Sequence, residues 1–444
     1  MRKTFFIILA FVFCLLPLVG CSSRQAESKP TITIWHWMTD REPVFQELAK
    51  RYEAKTGIKI NFELYAPSDA YTQKVRAAAQ GINLPDIFGI LAEMRDFASF
   101  IKAGHILDLT PYMDELGGAW KNCFFTKALS VNEFSAGNNY GIKPGIYAVP
   151  IDIMTIQMLY NKDLFKELGL DPNMPPRSFQ EFLDIGKKIS ATNRGGSASG
   201  GKQANMQGLV SGWGEIWMID CLANNYAFNI MGQDKVLATI KGEVPYTDPD
   251  WIKVLTLFKE MQDSGVLASG LVTMVNKTAE QLFANGKAVF AFNGSWCVNV
   301  YKGMNPNLNY GAMLPPQASD KYPMAIWGGA GSSFMVNARS KNKEIAVRFL
   351  QWLTDRDQQA YLAQATNNLP ANKDSLSKIP GILAQFADDM EHTTHPSTWG
   401  ISESPKVIEA FDKGIQSIII GERTPEQVAT EVQRIKAKEL AKKR

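Results

Sequence analysis

Short apolar strands alternate with amphipathic helices in the N-terminal part of the chain. Residues 30–35 (PTITIW) and 58–64 (IKINFEL) alternate apolar and polar positions, as strands with one buried face do. The stretch between them, 41–57, reads as a helix that ends at a glycine. Its apolar face consists of Val44, Phe45, Leu48 and Tyr52. The run 86–91 (DIFGIL) is a further strand, and the alternation predicts a largely parallel sheet covered by helices.

Helix starts in the second half are marked by capping patterns. A Ser or Thr followed three residues later by Glu or Gln forms a capping box, and an Asp–Pro pair places an acceptor before the first helical residue. These patterns occur at Ser178 with Glu181, Thr278 with Gln281, and Asp248 with Pro249. They predict three helices that open at these positions.

A glycine-rich stretch at 193–205 (NRGGSASGGKQAN) imitates a phosphate-binding loop. Gly196, Gly201 and Lys202 satisfy the spacing GxxxxGK, but Gln203 occupies the place of the Ser or Thr that binds Mg²⁺. The stretch also follows a helical pattern, whereas a phosphate-binding loop follows a buried strand. We interpret it as a surface loop without a nucleotide.

The first twenty residues have the pattern of a secretion signal. Arg2 and Lys3 precede an apolar run at 5–19, and LVGC follows at 18–21. The alternative, a membrane-spanning helix, needs about 20 apolar residues, more than this run provides. We therefore expect residues 1–20 to be removed and Cys21 to be lipidated, which would anchor the chain to a bilayer. The polar residues 21–30 then form a tether.

Composition excludes several classes of protein. The chain has 444 residues, which is enough for two domains, and a formal charge of only +3, which gives no attraction to nucleic acid. Its five cysteines include Cys14 and Cys21 in the N-terminal segment. The other three, Cys123, Cys221 and Cys297, have no CxxC spacing, so a disulfide framework is not expected, although one pair stays open.

Catalytic and metal motifs are weak. The segment 388–395 (DDMEHTTH) brings two of the four histidines to a spacing of three, but the sequence places no third ligand and Pro396 ends any helix. Neither HExxH nor GxSxG occurs. We expect no metal, no cofactor and no enzyme activity, although paired carboxylates are not excluded by sequence alone.

Aromatic residues are the most distinctive chemical feature. Ten tryptophans occur, and several lie beside glycine or at the ends of predicted elements. A flat indole at such a position can present its face to a cleft, where the C–H face of a sugar packs well. Core filling is the alternative for each ring taken singly. The tryptophans in question are Trp35, Trp37, Trp213, Trp217, Trp296, Trp327 and Trp399.

Several blocks, in order, resemble the extracellular solute-binding lipoproteins of ABC importers, the group that includes maltose-binding protein. The most specific block is 145–170 (GIYAVPIDIMTIQMLYNKDLFKELGL), in which YNKDLF follows a proline-bearing strand. The segments 84–115, 282–296 (LFANGKAVFAFNGSW) and 328–355 resemble further family blocks, and the resemblance extends from Thr31 to Leu440.

The resemblance implies a two-lobed α/β fold of the periplasmic binding protein type II. Each lobe would hold a mixed, mainly parallel sheet covered by helices, and crossover segments would form a hinge. Lobe I would comprise 31–150 and 315–352, and lobe II 151–314 and 353–444. The solute would bind between the lobes.

The resemblance also implies site residues. Trp296 matches the family's stacking tryptophan, and Trp213 lies where an aromatic residue lines the second lobe. Contacts are further expected from Trp35, Trp37, Asp40, Glu93, Trp327 and Gly329. Either Trp35 or Trp37 would face the cleft, with the other packed against the lobe.

Two positions depart from the family pattern. Where the hinge block often carries an acid, this chain has Met154, and Asp152 is the nearest acidic residue. The family's last stacking aromatic has no aligned counterpart, and Trp399 is the candidate to replace it.

We therefore predict a lipid-anchored, monomeric receptor in the cell envelope, on the periplasmic face or the cell surface. It would capture a carbohydrate, most simply an oligosaccharide, and deliver it to an ABC permease made of separate chains. One alternative is a non-sugar solute such as a polyol phosphate or organic acid, which would need a basic cleft near Arg41 and Arg95. The other is a surface carbohydrate hydrolase, which needs two facing carboxylates.

Overall fold

The computed structural model describes residues 30–66, 68–90, 94–138, 140–199, 205–215, 217–379, 381–394 and 403–442. The strands are β1 Thr31–His36, β2 Lys59–Leu64, β3 Ile87–Phe88, β4 Glu133–Phe134, β5 Gly145–Ile146, β6 Val149–Asn161, β7 Gln207–Val210, β8 Ala288–Gly294, β9 Tyr310–Met313, β10 Ile326–Val336, β11 Leu369–Pro370 and β12 Thr393–Thr394.

The helices are α1 Glu42–Thr56, α2 Ser68–Gln80, α3 Met94–Lys102, α4 Thr110–Met113, α5 Glu115–Asn122, α6 Thr126–Ser130, α7 Lys162–Glu167, α8 Phe179–Ser199, α9 Trp217–Lys241, α10 Pro249–Ser264, α11 Asn276–Ala284, α12 Cys297–Met304, α13 Lys343–Leu353, α14 Arg356–Thr366, α15 Gly381–Asp388, α16 Pro405–Ile419 and α17 Pro425–Ala441. Within the described ranges, no helix is both long and apolar enough to span a membrane.

The main sheet is mixed, as the strand–helix alternation predicts. Its strand order is β2-β1-β3-β10-β6-β8-β7, and β4 pairs only with β5. The N-terminal strands β1, β2 and β3 are parallel to one another, whereas β6 is antiparallel to β8, β9 and β10. Two long strands, β6 and β10, therefore connect the N-terminal strands with the rest of the sheet.

The alternation in β1 fixes which side chains face each layer. Ile32, Ile34 and His36 are buried, and their face packs beneath α1, where Phe45 stacks on Phe62 with ring centroids 4.8 Å apart. Each fully buried apolar side chain of this kind contributes roughly 1.5–3 kcal/mol relative to exposure. The odd positions, including Trp35, face the opposite layer, beside α2 and α3.

Most predicted helix starts are confirmed. The Ser178–Glu181 capping box is formed, because Glu181 N–H donates to Ser178 Oγ and the Glu181 carboxylate accepts from Ser178 N–H. Asp248 caps α10 by accepting from Asp250 N–H at 2.9 Å.

The prediction of a capping box at Thr278 is wrong. Helix α11 begins two residues earlier, at Asn276, and no side chain of its own first turn caps it. The Asn276 N–H instead donates to Glu215 Oε1, 2.8 Å away and 61 positions earlier in the chain. A distant carboxylate has replaced the local cap.

The predicted surface loop at 193–205 is corrected over its first half. Helix α8 continues to Ser199, so Gly196 is helical and the glycines lower helix stability without ending the helix. The Asn193 side chain bonds both the N–H and the C=O of Met206, which ties the helix to the start of β7. Gly201, Lys202 and Gln203 lie outside the described residues.

Candidate functional site

A row of side chains crosses three neighbouring strands at the middle of the sheet. Trp327 on β10 pairs with Ile156 on β6, and Ile156 pairs on its other edge with Gly294 on β8. Residues directly opposite in an antiparallel pair project from the same face. The ring of Trp296 fills the space above Gly294, because a Cβ there would lie 1.9 Å from that ring. Trp296 and Trp327 therefore share one face of the sheet.

Trp217 joins this row from the start of α9. Its ring centroid lies 6.0 Å from that of Trp296, with the planes tilted by 43°, and the residue is 41% exposed. Trp296 and Trp327 are partly exposed as well. We call Trp217, Trp296 and Trp327 the indole cluster. The resemblance to the family does not assign Trp217 to the site, and its only sequence signal is its place among the tryptophans near glycines.

Trp213, expected in the cleft, is a core residue in this structure. It is 0% exposed, its ring packs against Phe258 at 5.7 Å, and its carbonyl accepts from the Gln416 side chain at 2.9 Å. A fully buried ring presents no face to a ligand. Trp213 therefore does not belong to the site in this conformation, and Trp217, four residues later, has the exposed ring.

Trp35 has a partner on its own face. The Lys74 ammonium of α2 lies 4.3 Å from the Trp35 ring centroid and 4.1 Å from that of Tyr65, whose edge meets Trp35. The Tyr65 hydroxyl in turn donates to Glu63 at 2.6 Å. Lys74 occupies a face that a sugar would need, so Trp35 is the indole that packs against its own layer.

Trp37 lies just beyond the end of β1. Its ring centroid is 5.1 Å from that of Tyr71, and a Cβ on Gly89 would lie 2.4 Å from the ring, so glycine is required beneath it. The buried Tyr71 hydroxyl accepts from Gly89 N–H at 3.0 Å and holds the two segments together. The ring thus lies at the carboxyl ends of the parallel strands β1 and β3, where α/β proteins bind ligands.

The turn after β1 carries an ion pair to the long strand β6. Arg41 Nη2 lies 2.5 Å from Asp152 Oδ2, and Arg41 Nη1 lies 3.2 Å from Asp40 Oδ1. Asp40 also accepts from the Asn368 side chain at 3.3 Å. We call Trp37, Asp40, Arg41 and Asp152 the turn cluster.

Asp152 depends on Arg41 for its charge. The residue is 1% exposed, and burial raises the pKa of its carboxyl while the Arg41 guanidinium acts in the opposite direction. Hydrogen bonds from the Ser332 backbone and from Arg41 also lower the pKa of this carboxyl. Within the described ranges Arg41 Nε is buried without a partner, so the ion pair keeps unused donor capacity at its Arg41 end.

The two clusters lie on the same face of β6. Asp152, Met154 and Ile156 occupy alternate positions and therefore project from the same side of the strand. The four-residue step from Asp152 to Ile156 spans about 13 Å at the usual strand rise. Gly329 pairs with Met154 and adds no side chain between the clusters. The partly exposed Met154, at the position where the family often has an acid, lies midway. This distance along the strand is longer than one pyranose ring.

Some predicted residues lie outside the described ranges. These are Cys21, Glu93, His395 and Trp399. Within the described ranges, no group of three or more metal-ligating side chains occurs, and Cys123, Cys221 and Cys297 are all free.

The chain belongs to the family described as bacterial extracellular solute-binding protein, whose profile matches residues 47–394. The predicted family is therefore confirmed, and the chain is the solute-binding component of an ABC importer.

Three curated relatives are similar over most of their length. A putative binding protein of Brucella abortus is 26% identical over 81% of this chain and 80% of its own. The multiple sugar-binding protein of Streptococcus mutans is 24% identical over 75% and 73%. The sn-glycerol-3-phosphate-binding periplasmic protein of Escherichia coli is 26% identical over 63% of each chain.

The fold is similar to that of solved solute-binding proteins. The apo form of RafE from Streptococcus pneumoniae superposes with a TM-score of 0.72 at 16% identity, covering 92% of this chain and 97% of that one. At this identity the likeness shows the fold alone. It confirms the predicted two-lobed α/β architecture.

Proposed function

We propose that this protein captures a neutral oligosaccharide on the face of β6 that joins the indole cluster to the turn cluster. The observation that carries the proposal is the combination on one face of exposed indole rings with an incompletely hydrogen-bonded ion pair about 13 Å away. Indoles pack on the C–H faces of sugar rings. Carboxylate and guanidinium groups accept from and donate to hydroxyls.

Charge favours a neutral solute over a phosphate or an organic acid. The cation in the turn cluster is Arg41, and it is paired with Asp152 and flanked by Asp40. An anionic ligand would have to displace Asp152, which is buried, and leave its carboxylate without compensation. One relative is named for sugar binding and another for glycerol-phosphate binding. The charges around Arg41 support a sugar for this chain.

We propose that binding involves closure rather than chemistry. A ligand that contacts both clusters stabilises the arrangement in which they approach, by its difference in affinity between open and closed states. Strand β10 pairs with β12 at its start, with β6 from Trp327 to Phe334, and with β3 at Met335 and Val336. We therefore propose that the second crossing between lobes runs along β10 rather than at the boundary between residues 314 and 315.

We further propose that the chain works as a monomer anchored in the cell envelope through a lipid on Cys21, and that separate permease subunits receive the solute. The N-terminal signal and the extracellular family support this placement. A Cys21→Ala chain should appear in the soluble fraction of the producing cells, while the parent fractionates with membranes. Equal fractionation would contradict the anchor.

Calorimetry on residues 30–444 tests the proposed solute. We expect saturable binding of at least one of maltotriose, raffinose and xylotriose, and no binding of sn-glycerol 3-phosphate or citrate. Chromatography after prolonged incubation should recover each trisaccharide intact, since no hydrolysis is proposed. Binding of the anions alone would overturn the proposed solute, and shorter products would support the hydrolase.

A further inference from the structure

We infer that Glu280 and Asn276 are positioning residues that set the spacing of Trp217 and Trp296. The inference rests on the proposed function for its consequence in binding, but its structural content concerns the two rings alone. The two indoles belong to separate segments, 213–217 and 293–296, and nothing in either segment's local sequence fixes the 6.0 Å between their rings.

The first half of the network holds the Trp296 segment. Glu280 Oε1 accepts from Asn293 Nδ2 at 3.1 Å, and Asn293 Oδ1 accepts from the backbone N–H of Gly294 at 2.8 Å. The Trp296 ring rests on Gly294. The Asn293 side chain therefore links Glu280 to the Gly294 backbone beneath the Trp296 ring.

The second half holds the Trp217 segment. Glu280 Oε1 also accepts from Asn276 Nδ2 at 3.0 Å, and the Asn276 backbone N–H donates to Glu215 Oε1 at 2.8 Å. Glu215 is two residues before Trp217. The path Glu215–Asn276–Glu280–Asn293 thus connects both segments through side chains of α11 and β8.

Close packing supports the same connection. A Cβ on Gly212 would lie 2.9 Å from Asn276 Cα, so the glycine lets the segment before Trp217 rest on the start of α11. This is the physical reason for glycine in SGWGEIW, which from the sequence resembles a flexible flank.

The central residues of the network, Glu280 and Asn293, are buried. Glu280 is 7% exposed and Asn293 2% exposed, and burial raises the pKa of Glu280 while the two amides lower it. Without the Glu280 oxygen, the partly buried Asn276 amide loses this acceptor, and the buried Asn293 amide keeps the Tyr301 hydroxyl at 3.4 Å. The two segments then lose their common anchor. Glutamine keeps an oxygen of the same reach, so Glu280→Gln is the matched conservative variant.

Near-ultraviolet circular dichroism tests the inference without a ligand, since two indoles at this distance couple. Trp217→Phe defines the part of the spectrum that depends on the pair. We expect Glu280→Ala to lose most of that part while its far-ultraviolet spectrum is unchanged, and Glu280→Gln to retain it. Retention in Glu280→Ala, or equal loss in Glu280→Gln, would overturn the inference.

Glu215→Ala provides a second variant, because Glu215 is exposed and its loss does not open the core. It should change the same spectral part, and Glu215→Gln should restore it; no change in Glu215→Ala would overturn the Trp217 half of the network. Affinity for maltotriose, raffinose or xylotriose should fall about tenfold in Glu280→Ala and less than twofold in Glu280→Gln. A parent chain that binds none of the three would contradict the proposed function and leave the spectral test intact.

Discussion

The indole cluster and the turn cluster lie on one face of β6 but differ in what holds them. The indole cluster consists of rings from three distant segments, and Trp217 and Trp296 are held by a buried hydrogen-bond path. The turn cluster follows directly after β1 and is held by an ion pair to β6. The first presents apolar ring faces. In the second, Asp40 and Arg41 are the accessible charged groups, and Asp152 is buried behind Arg41. A ligand that satisfies both must have C–H faces and hydroxyls, and this requirement describes a sugar better than a compact anion.

The largest effect is expected in the turn cluster, from Asp152→Asn. The change removes the buried partner of Arg41, whose side chain is 14% exposed, and leaves it the exposed Asp40 carboxylate, so the free energy of unfolding should fall by about 3 kcal/mol. Urea unfolding followed by fluorescence would measure it. Asp40→Asn is the matched control, since that carboxylate contacts the same guanidinium but is 43% exposed, and a loss of about 0–1 kcal/mol is expected there. An equal fall in the free energy of unfolding in both variants would show that the burial of Asp152 does not make its ion pair more important for stability than that of Asp40.

In the indole cluster, Trp296→Ala should cost the most affinity. Removal of a partly buried ring that packs on a sugar should weaken binding by about 2 kcal/mol, or roughly 30-fold. Calorimetry with the tightest-binding trisaccharide would measure it. Trp120→Ala is a control outside the cluster, because its indole N–H donates to Thr354 at 2.9 Å. Unchanged affinity in Trp296→Ala would remove the indole cluster from the site.

A smaller effect should separate the two tryptophans after β1. We expect Trp37→Ala to weaken trisaccharide binding by about 1 kcal/mol, because its ring lies at the carboxyl ends of β1 and β3. Trp35→Ala should change affinity less than about twofold, because Lys74 already covers its ring. The reverse order of effects would show that Lys74 leaves the ring when a ligand binds.

The last prediction concerns pH and the helix that carries Trp217. Burial raises the pKa of Asp220, one turn into α9, to about 7. The unfolded chain releases this proton near pH 4, whereas the folded chain keeps it until about pH 7, so the folded state binds more protons in this window. Stability contributed by this group is therefore lost as the pH rises from about 4 to about 7, with a slope that approaches but does not exceed about 1.4 kcal/mol per pH unit.

Thermal unfolding of Asp220→Asn against the parent would measure this contribution as a difference in slope. We expect the variant to lose less stability than the parent between pH 5 and 7. A parallel pair of curves would show that Asp220 titrates normally in the folded protein.

Local sequence patterns predicted helix and strand boundaries correctly where neighbouring residues in the chain form the cap or the stop. The helix after β1 ends at Gly57 in a left-handed conformation, as its sequence indicates, and two of three capping patterns are formed. The third failed because Glu215, distant in sequence, caps α11. Of the described part of the predicted strand at 86–91, Ile87–Phe88 forms a strand, and the next residue, Gly89, lies under the Trp37 ring.

The site was predictable as a kind of residue but not as a set of residues. Indoles near glycine form part of the proposed site, yet Trp213 is buried and Trp217 is exposed although both lie in SGWGEIW. The sequence alone does not show which of two nearby rings will point into the core and which into solvent. The partner of Asp152 was also hidden, because Arg41 lies 111 positions earlier in the chain.

The sequence by itself determined the alternation of strands and helices, the absence of a strong charge, the abundance of indoles and the family. These follow from side-chain periodicity and composition, which act over a few residues. Only the tertiary structure decided which indoles present a face, which carboxylate is buried beside Arg41, and how Glu280 joins two segments. Those outcomes depend on packing between residues that are distant in the chain, where burial and hydrogen-bond geometry act and local pattern does not.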